Sequence, residues 1–96
     1  MVNELDQVIH QPIRTKIIAL LLNSGECDYS TIKNTLNISD GHMSTHMKVL
    51  VTEEYVAMEK TFVDNKPKTT YKITKHGKKK FSEYIDVLKK IVTIKP

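Results

Sequence analysis

Tryptophan is absent, cysteine occurs once, and glycine and proline occur three times each in this 96-residue chain. Each scarcity removes a class of protein. With Cys27 alone, no intrachain disulfide framework can form, and a lone thiol fits a reducing compartment, so the cytoplasm is the expected location. Gly25, Gly41 and Gly77 stand apart, so there is no glycine-rich loop to cradle a phosphate. Nothing marks a nucleophile elbow, and a domain this small leaves little room for a catalytic pocket. The expectation is therefore no enzyme and no cofactor. No apolar run approaches the ~20 residues that span a bilayer, and the opening MVNELDQ is acidic, without a signal-peptide profile.

What remains is ordinary globular composition, 40% hydrophobic and 27% charged. A chain of this length makes one domain, expected over residues 1–96. It buries only roughly 60–68% of its extended surface, so a further apolar face hidden in a dimer would help it. The charge is uneven. Residues 1–55 hold four Lys/Arg against seven Asp/Glu, whereas residues 56–96 hold eleven against four, giving +4 in total. A basic half beside an acidic half points to a polyanion on one side, although a solvated lysine surface would look the same.

The stretch Ser39–Glu53 organises the rest. Met43, Met47 and Leu50 make one apolar stripe at helical spacing, and His42, Ser44, Thr45, His46 and Lys48 point elsewhere. Ser39 or Asp40 caps its first turn. A shorter helical pattern, Thr31–Leu36, precedes it across Asn37–Ile38, with Ser30 as the expected cap. Two short helices joined this tightly read as helix-turn-helix. Upstream, Asn3–His10 is a short amphipathic piece carrying Leu5, Val8 and Ile9. Pro12 opens a helix whose Ile13, Ile17, Leu20 and Leu21 face inward, with Gly25 closing it. Glu26–Tyr29 reads as a link or edge strand.

Downstream the period drops to two. Two alternating runs flank Asp64-Asn65-Lys66-Pro67, a β-hairpin with Val56, Met58, Tyr71 and Ile73 inside and Lys66, Lys68, Thr70 and Lys72 at the tip and outer face. Thr74 caps a last helix to about Val92, lined by Phe81, Ile85, Leu88 and Val92, with Tyr84 and Ile91 beside them. The fold class is mainly α with a small β-hairpin wing, a winged helix-turn-helix.

Three segments carry a family resemblance. Ser44-Thr45-His46-Met47-Lys48-Val49-Leu50 with Tyr55-Val56 resembles the S-x-H-L-x-x-L…G-L-V signature of ArsR- and MarR-type bacterial and archaeal repressors. Lys66-Pro67-Lys68-Thr69-Thr70-Tyr71-Lys72-Ile73-Thr74-x-x-Gly77 resembles the R-P-R-T-T-Y-x-L-T-x-x-G wing of a compact winged-helix regulator group. His10-Gln11-Pro12-x-Arg14 resembles that group's H-x-P-x-R. One departure stands out: Glu54 replaces the usual glycine after the recognition helix, a left-handed position that strains a non-glycine residue by about 1 kcal/mol.

The resemblance implies a transcriptional regulator of double-stranded DNA, most simply a repressor. Helix 39–53 would read the major groove through Ser44 and Thr45, flanked by His42 and His46, with Lys48 toward the backbone. The wing, 63–70, would hold phosphates or the minor-groove rim through Lys66, Lys68, Thr69, Thr70 and Lys72. Lysine acts as a point charge where relatives often place arginine, so minor-groove shape reading should be weaker.

A homodimer is expected through the terminal helices (about 3–10 and 75–92), using Leu5, Val8, Ile9, Tyr84, Leu88, Ile91 and Val92. His42 and His46 could share a metal, but the cysteine pair usual in such sites is missing, so no metal is assigned. Protonation of these imidazoles beside phosphate would instead raise DNA affinity as pH falls from about 7.5 to about 6. The sequence assigns no small-molecule effector. The competing class is a winged helix used to dock proteins, against which the lysine-rich wing argues.

Overall fold

In a computed structural model that describes residues 4–95, local chemistry accounts for nearly every element boundary. Helix α1 spans Pro12–Ser24: proline takes a first-turn position where its missing N–H is harmless, and the Gln11 side chain accepts from the Arg14 N–H at 2.9 Å. Gly25, at φ 83°, ends it in the left-handed region. Strand β1, Glu26–Asp28, leads straight into α2, Tyr29–Leu36. The cap of α2 is Asp28, whose carboxylate accepts from the Thr31 N–H at 2.8 Å, so Ser30 does not have the role expected of it. Asn37, left-handed at φ 52°, closes α2.

Ser39 caps α3, Asp40–Thr52, accepting from the His42 N–H at 3.1 Å. The helix ends with Glu54 left-handed at φ 64°, its N–H donating to Val51 O and the Tyr55 N–H to Leu50 O. This is a Schellman ending with glutamate where glycine is favoured, so the residue accepts the strain.

Strands β2, Val56–Val63, and β3, Lys66–Ile73, meet in a two-residue turn, Asp64 and Asn65, both at positive φ. Such a turn matches the natural twist of a hairpin. Pro67 therefore lies inside β3 rather than in the turn. It stands opposite Phe62 and beyond the reach of β1, which pairs only with Thr70–Lys72, so its missing N–H leaves no gap in the ladder. The sheet order is β1-β3-β2, all antiparallel.

Thr74 caps α4, Lys75–Val92, accepting from the Gly77 N–H at 2.9 Å while its own hydroxyl donates to Glu54 O at 2.7 Å. A Cβ at residue 77 would collide with the Tyr55 carbonyl oxygen. Threonine and glycine three apart thus let α4 start hard against the turn that ends α3.

Ile9, Ile17, Ile18, Leu21, Ile32, Met43, Leu50 and Val56 are almost completely buried, joined by Met47, Tyr71, Ile73 and Tyr84. No buried side-chain polar atom among the described residues lacks a partner. No described helix is long and apolar enough to cross a membrane.

Three expectations need correction. Met58 is 46% exposed, because it borders an open slot between the hairpin and α3 instead of packing into the core. Residues 4–10 form a strap with a turn at 7–9, not a helix; Asn3 lies outside the described residues. Asp6 fixes that turn, accepting from the Val8 and Ile9 N–H groups. Ile9 and Tyr84, expected on a dimer surface, are buried in the chain's own core; the Tyr84 hydroxyl bonds His10 Nδ1 at 3.0 Å.

Candidate nucleic-acid interface

Burial of Met43, Met47 and Leu50 fixes the rotation of α3. The opposite stripe is Gly41, Thr45, Lys48 and Thr52, spaced by four, three and four residues, and all are exposed. Ser44 and Lys48 lean toward the wing. With Met47, Val51, Met58 and Tyr71 they border a slot of about 260 Å³ between α3 and the hairpin. His42 and His46 occupy the other flank, toward α1, their ring centroids 6.4 Å apart. Of the expected helix contacts, His42, Ser44, Thr45 and Lys48 are exposed.

His46 is not in the same position. It is half-buried, and Arg14 Nη1 donates to its Nδ1 at 3.1 Å. Arginine can only donate, so Nδ1 carries no proton and the neutral ring holds its hydrogen on Nε2. Burial, and then the Arg14 and His42 charges, push the His46 pKa down. The same guanidinium donates through Nε to Val8 O at 2.5 Å. Arg14 thereby pins the strap and α3 to α1. His46 is a packing residue of this clamp rather than an outward contact.

At the leading end of α3, Asp40 would face an approaching polyanion with the wrong sign. Lys33 Nζ lies 3.2 Å from Asp40 Oδ1, and the Tyr29 hydroxyl donates to it at 3.1 Å. These two partners hold the Asp40 carboxyl below its ordinary range. Its charge is kept but locally compensated.

The hairpin register divides the wing lysines. Val56, Met58, Lys60 and Phe62 pair with Ile73, Tyr71, Thr69 and Pro67, so these eight share the face that looks toward α3. Lys66, Lys68, Thr70 and Lys72 lie on the reverse face, cross-strand from Val63, Thr61, Glu59 and Ala57. Lys66 and Lys68 are close enough to the tip to swing around it. Lys72 is not: it sits at the base, beside Glu26 of β1, and Thr70 is half-buried there. Both lie away from the face that looks toward α3. Lys68 Nζ also comes within 4.0 Å of Asp28 Oδ2, a weak surface pair.

Sequence reasoning missed Lys60, beside half-buried Thr69 on the face that matters, and Gly41 and Thr52 on the helix. Alternation alone could have found Lys60 once Tyr71 was fixed as inward. Among the described residues no group of three His, Cys, Asp or Glu side chains could hold a metal ion.

A tight helical pair with a lysine-bearing ribbon beside its second helix defines a winged helix-turn-helix domain. The family model of the winged helix DNA-binding domain matches residues 13–92, and the chain belongs to that family. It is similar to an uncharacterized protein of Methanocaldococcus jannaschii, 33% identical over 79 residues that cover 82% of this chain and 86% of the relative. The transcriptional regulator homologue of Pyrococcus horikoshii OT3 superposes with a TM-score of 0.85 at 25% identity, covering 91% of this chain and 86% of that one. PadR of Bacillus subtilis, solved in complex with operator DNA, superposes at 0.66 with 18% identity, over 90% of this chain and 50% of PadR. The winged-helix regulator family expected from the three motifs is the one found.

Proposed function

We propose that this chain is a sequence-specific reader of double-stranded DNA, a cytoplasmic transcriptional regulator that represses by occupancy and catalyses nothing. The observation that carries it is the stripe Gly41, Thr45, Lys48 and Thr52, exposed on a helix whose other face is locked into the core, with Lys60 facing it from the wing. A glycine in that stripe lets backbone approach backbone, threonine offers a hydroxyl and a methyl to base edges, and lysine meets phosphate. In this reading α3 lies in the major groove, while Lys60, Lys66 and Lys68 contact phosphates along the minor groove. PadR, of the same fold, has been solved in complex with operator DNA, and that supports DNA as the partner.

The reading includes a homodimer, since one short helix covers too few base pairs for strong specificity. Its surface reduces to the end of α4. Leu5, Val8 and Leu88 pack against this chain's own core, whereas Ile91 is half-buried and Val92 and Ile94 are each 72% exposed.

Selection of duplexes from a random pool, followed by gel shift, tests the reading. Ser44→Ala and Thr45→Ala should change which sequence is preferred. Lys66→Ala with Lys68→Ala should weaken binding to every duplex and flatten the salt dependence by about one unit per lost phosphate contact. Equal loss in both classes on all sequences would contradict the division of labour. No duplex binding at all would favour a docking module.

A further inference from the structure

Phe62 has no role in the fold. It is 77% exposed, four residues before the start of β3, and its cross-strand partner on the same face is exposed Pro67. Beyond Thr70 the ribbon has only two strands, because β1 stops there. An unsupported two-stranded ribbon is marginal in water, and a solvated phenylalanine at its end adds nothing to it. Neighbouring Val63 is 49% exposed as well. Around this apolar tip stand Lys60, Lys66 and Lys68, with Asp64 the one opposing charge within residues 60–68.

We propose that Phe62, backed by Pro67, is an apolar wedge that enters the minor groove of duplex DNA and partly unstacks one base step. The occupant is identified by charge and shape together. The lysines call for a polyanion, and a narrow ribbon with a ring on its groove-facing side calls for a polyanion with an apolar interior. Phenylalanine and proline are among the side chains that open base steps from the minor groove and kink the duplex. The face that carries Phe62 is the face turned toward α3, so helix and wedge address one duplex together. This inference rests on the DNA-reading function proposed above and adds to it a contact whose strength does not depend on salt.

The experiment uses the full chain and a duplex selected on it, with 2-aminopurine placed in turn at each position under the wing. For the unmodified protein, fluorescence should rise at one step, reporting unstacking. Phe62→Ala should abolish that rise and weaken binding by roughly tenfold at every salt concentration, leaving the slope against log salt unchanged. Phe62→Leu should restore most of the affinity. Because the side chain is solvated, melting of the free protein should not move in either variant.

Binding by Phe62→Ala as tight as the unmodified protein, with no fluorescence change in either, overturns the wedge while leaving the DNA-reading function intact. A lost affinity that tracks a lower salt slope also overturns it. If the unmodified protein binds no selected duplex, the function itself fails and the wedge with it. Phe62-dependent capture by phosphatidylglycerol vesicles, with duplex binding independent of Phe62, would reassign the tip to a lipid surface.

Discussion

His46 shows how a single contact changes the meaning of a residue. Its spacing on α3 suggests an outward group, yet Arg14 turns it inward and lowers its pKa. The unfolded chain therefore takes up this proton first as pH falls. The stability due to neutral His46 is complete above about pH 6.5 and declines on acidification below it. Urea titrations across that range should show a steeper acid loss for the unmodified protein than for His46→Gln; parallel curves would refute the clamp. His46 protonation also works against the expected gain in DNA affinity at low pH, since it sets two cations side by side. Gly77 is a second residue whose role lies in what it lacks. Gly77→Ala should cost about 1–3 kcal/mol by forcing α4 off the Tyr55 carbonyl, measured as a lower urea midpoint at unchanged slope. Neither partner was legible in sequence, because Arg14–His46 and Gly77–Tyr55 join positions 32 and 22 residues apart.

At the level of elements, periodicity served well where an element was long. The inward stripe of α3, and Ile17 and Leu21 of α1, follow from spacing of three and four, and Val56, Tyr71 and Ile73 from spacing of two. Fully buried Ile18 lies outside the expected stripe, and on α4 Tyr84 is buried while Val92, expected to line the helix, is exposed. It failed where an element was short or ran past its support. Three residues, Glu26–Asp28, are too few to show a period, so the three-stranded sheet and the Asp28 cap stayed hidden. Met58 obeys the alternation but borders the open slot between α3 and the hairpin, so it stays 46% exposed. The strap at residues 4–10 looked helical because Leu5, Val8 and Ile9 have helical spacing, whereas Asp6 spends its carboxylate on a turn. The departure at Glu54 was visible in sequence, and its outcome is now defined. Replacing a left-handed glutamate by glycine removes strain but adds freedom to the unfolded chain. Glu54→Gly should thus stabilise by a net of about 0.5 kcal/mol in chemical denaturation. A loss of stability would mean that the glutamate side chain contributes something its exposed position does not suggest.

For the whole molecule, the most exposed apolar side chains lie in two places, Phe62 at the wing tip and Val92 with Ile94 at the far end of α4, and the dimer reading uses the second. Sedimentation equilibrium at micromolar concentration should give about twice the 11.0 kDa chain mass. Ile91→Glu with Val92→Glu should return it to one chain, with the helical circular dichroism preserved. A single-chain mass for the unmodified protein would remove the dimer from the reading. The acidic first half and basic second half, legible as numbers, acquire a spatial sense here. Glu4 and Asp6 lie in the strap, Glu26 and Asp28 in β1, and Glu53 and Glu54 in the turn after α3, with Asp40 the one acid within α1–α3. The lysines of the second half lie mostly on the wing and α4. Thr74 bonds Glu54, and Gly77 abuts Tyr55, so α3 and α4 share one joint. In a twofold assembly built on α4, the angular phase between two operator halves would be governed at that knuckle. A slight roll of the paired helices would shift both reading heads along the duplex without either one changing its own shape.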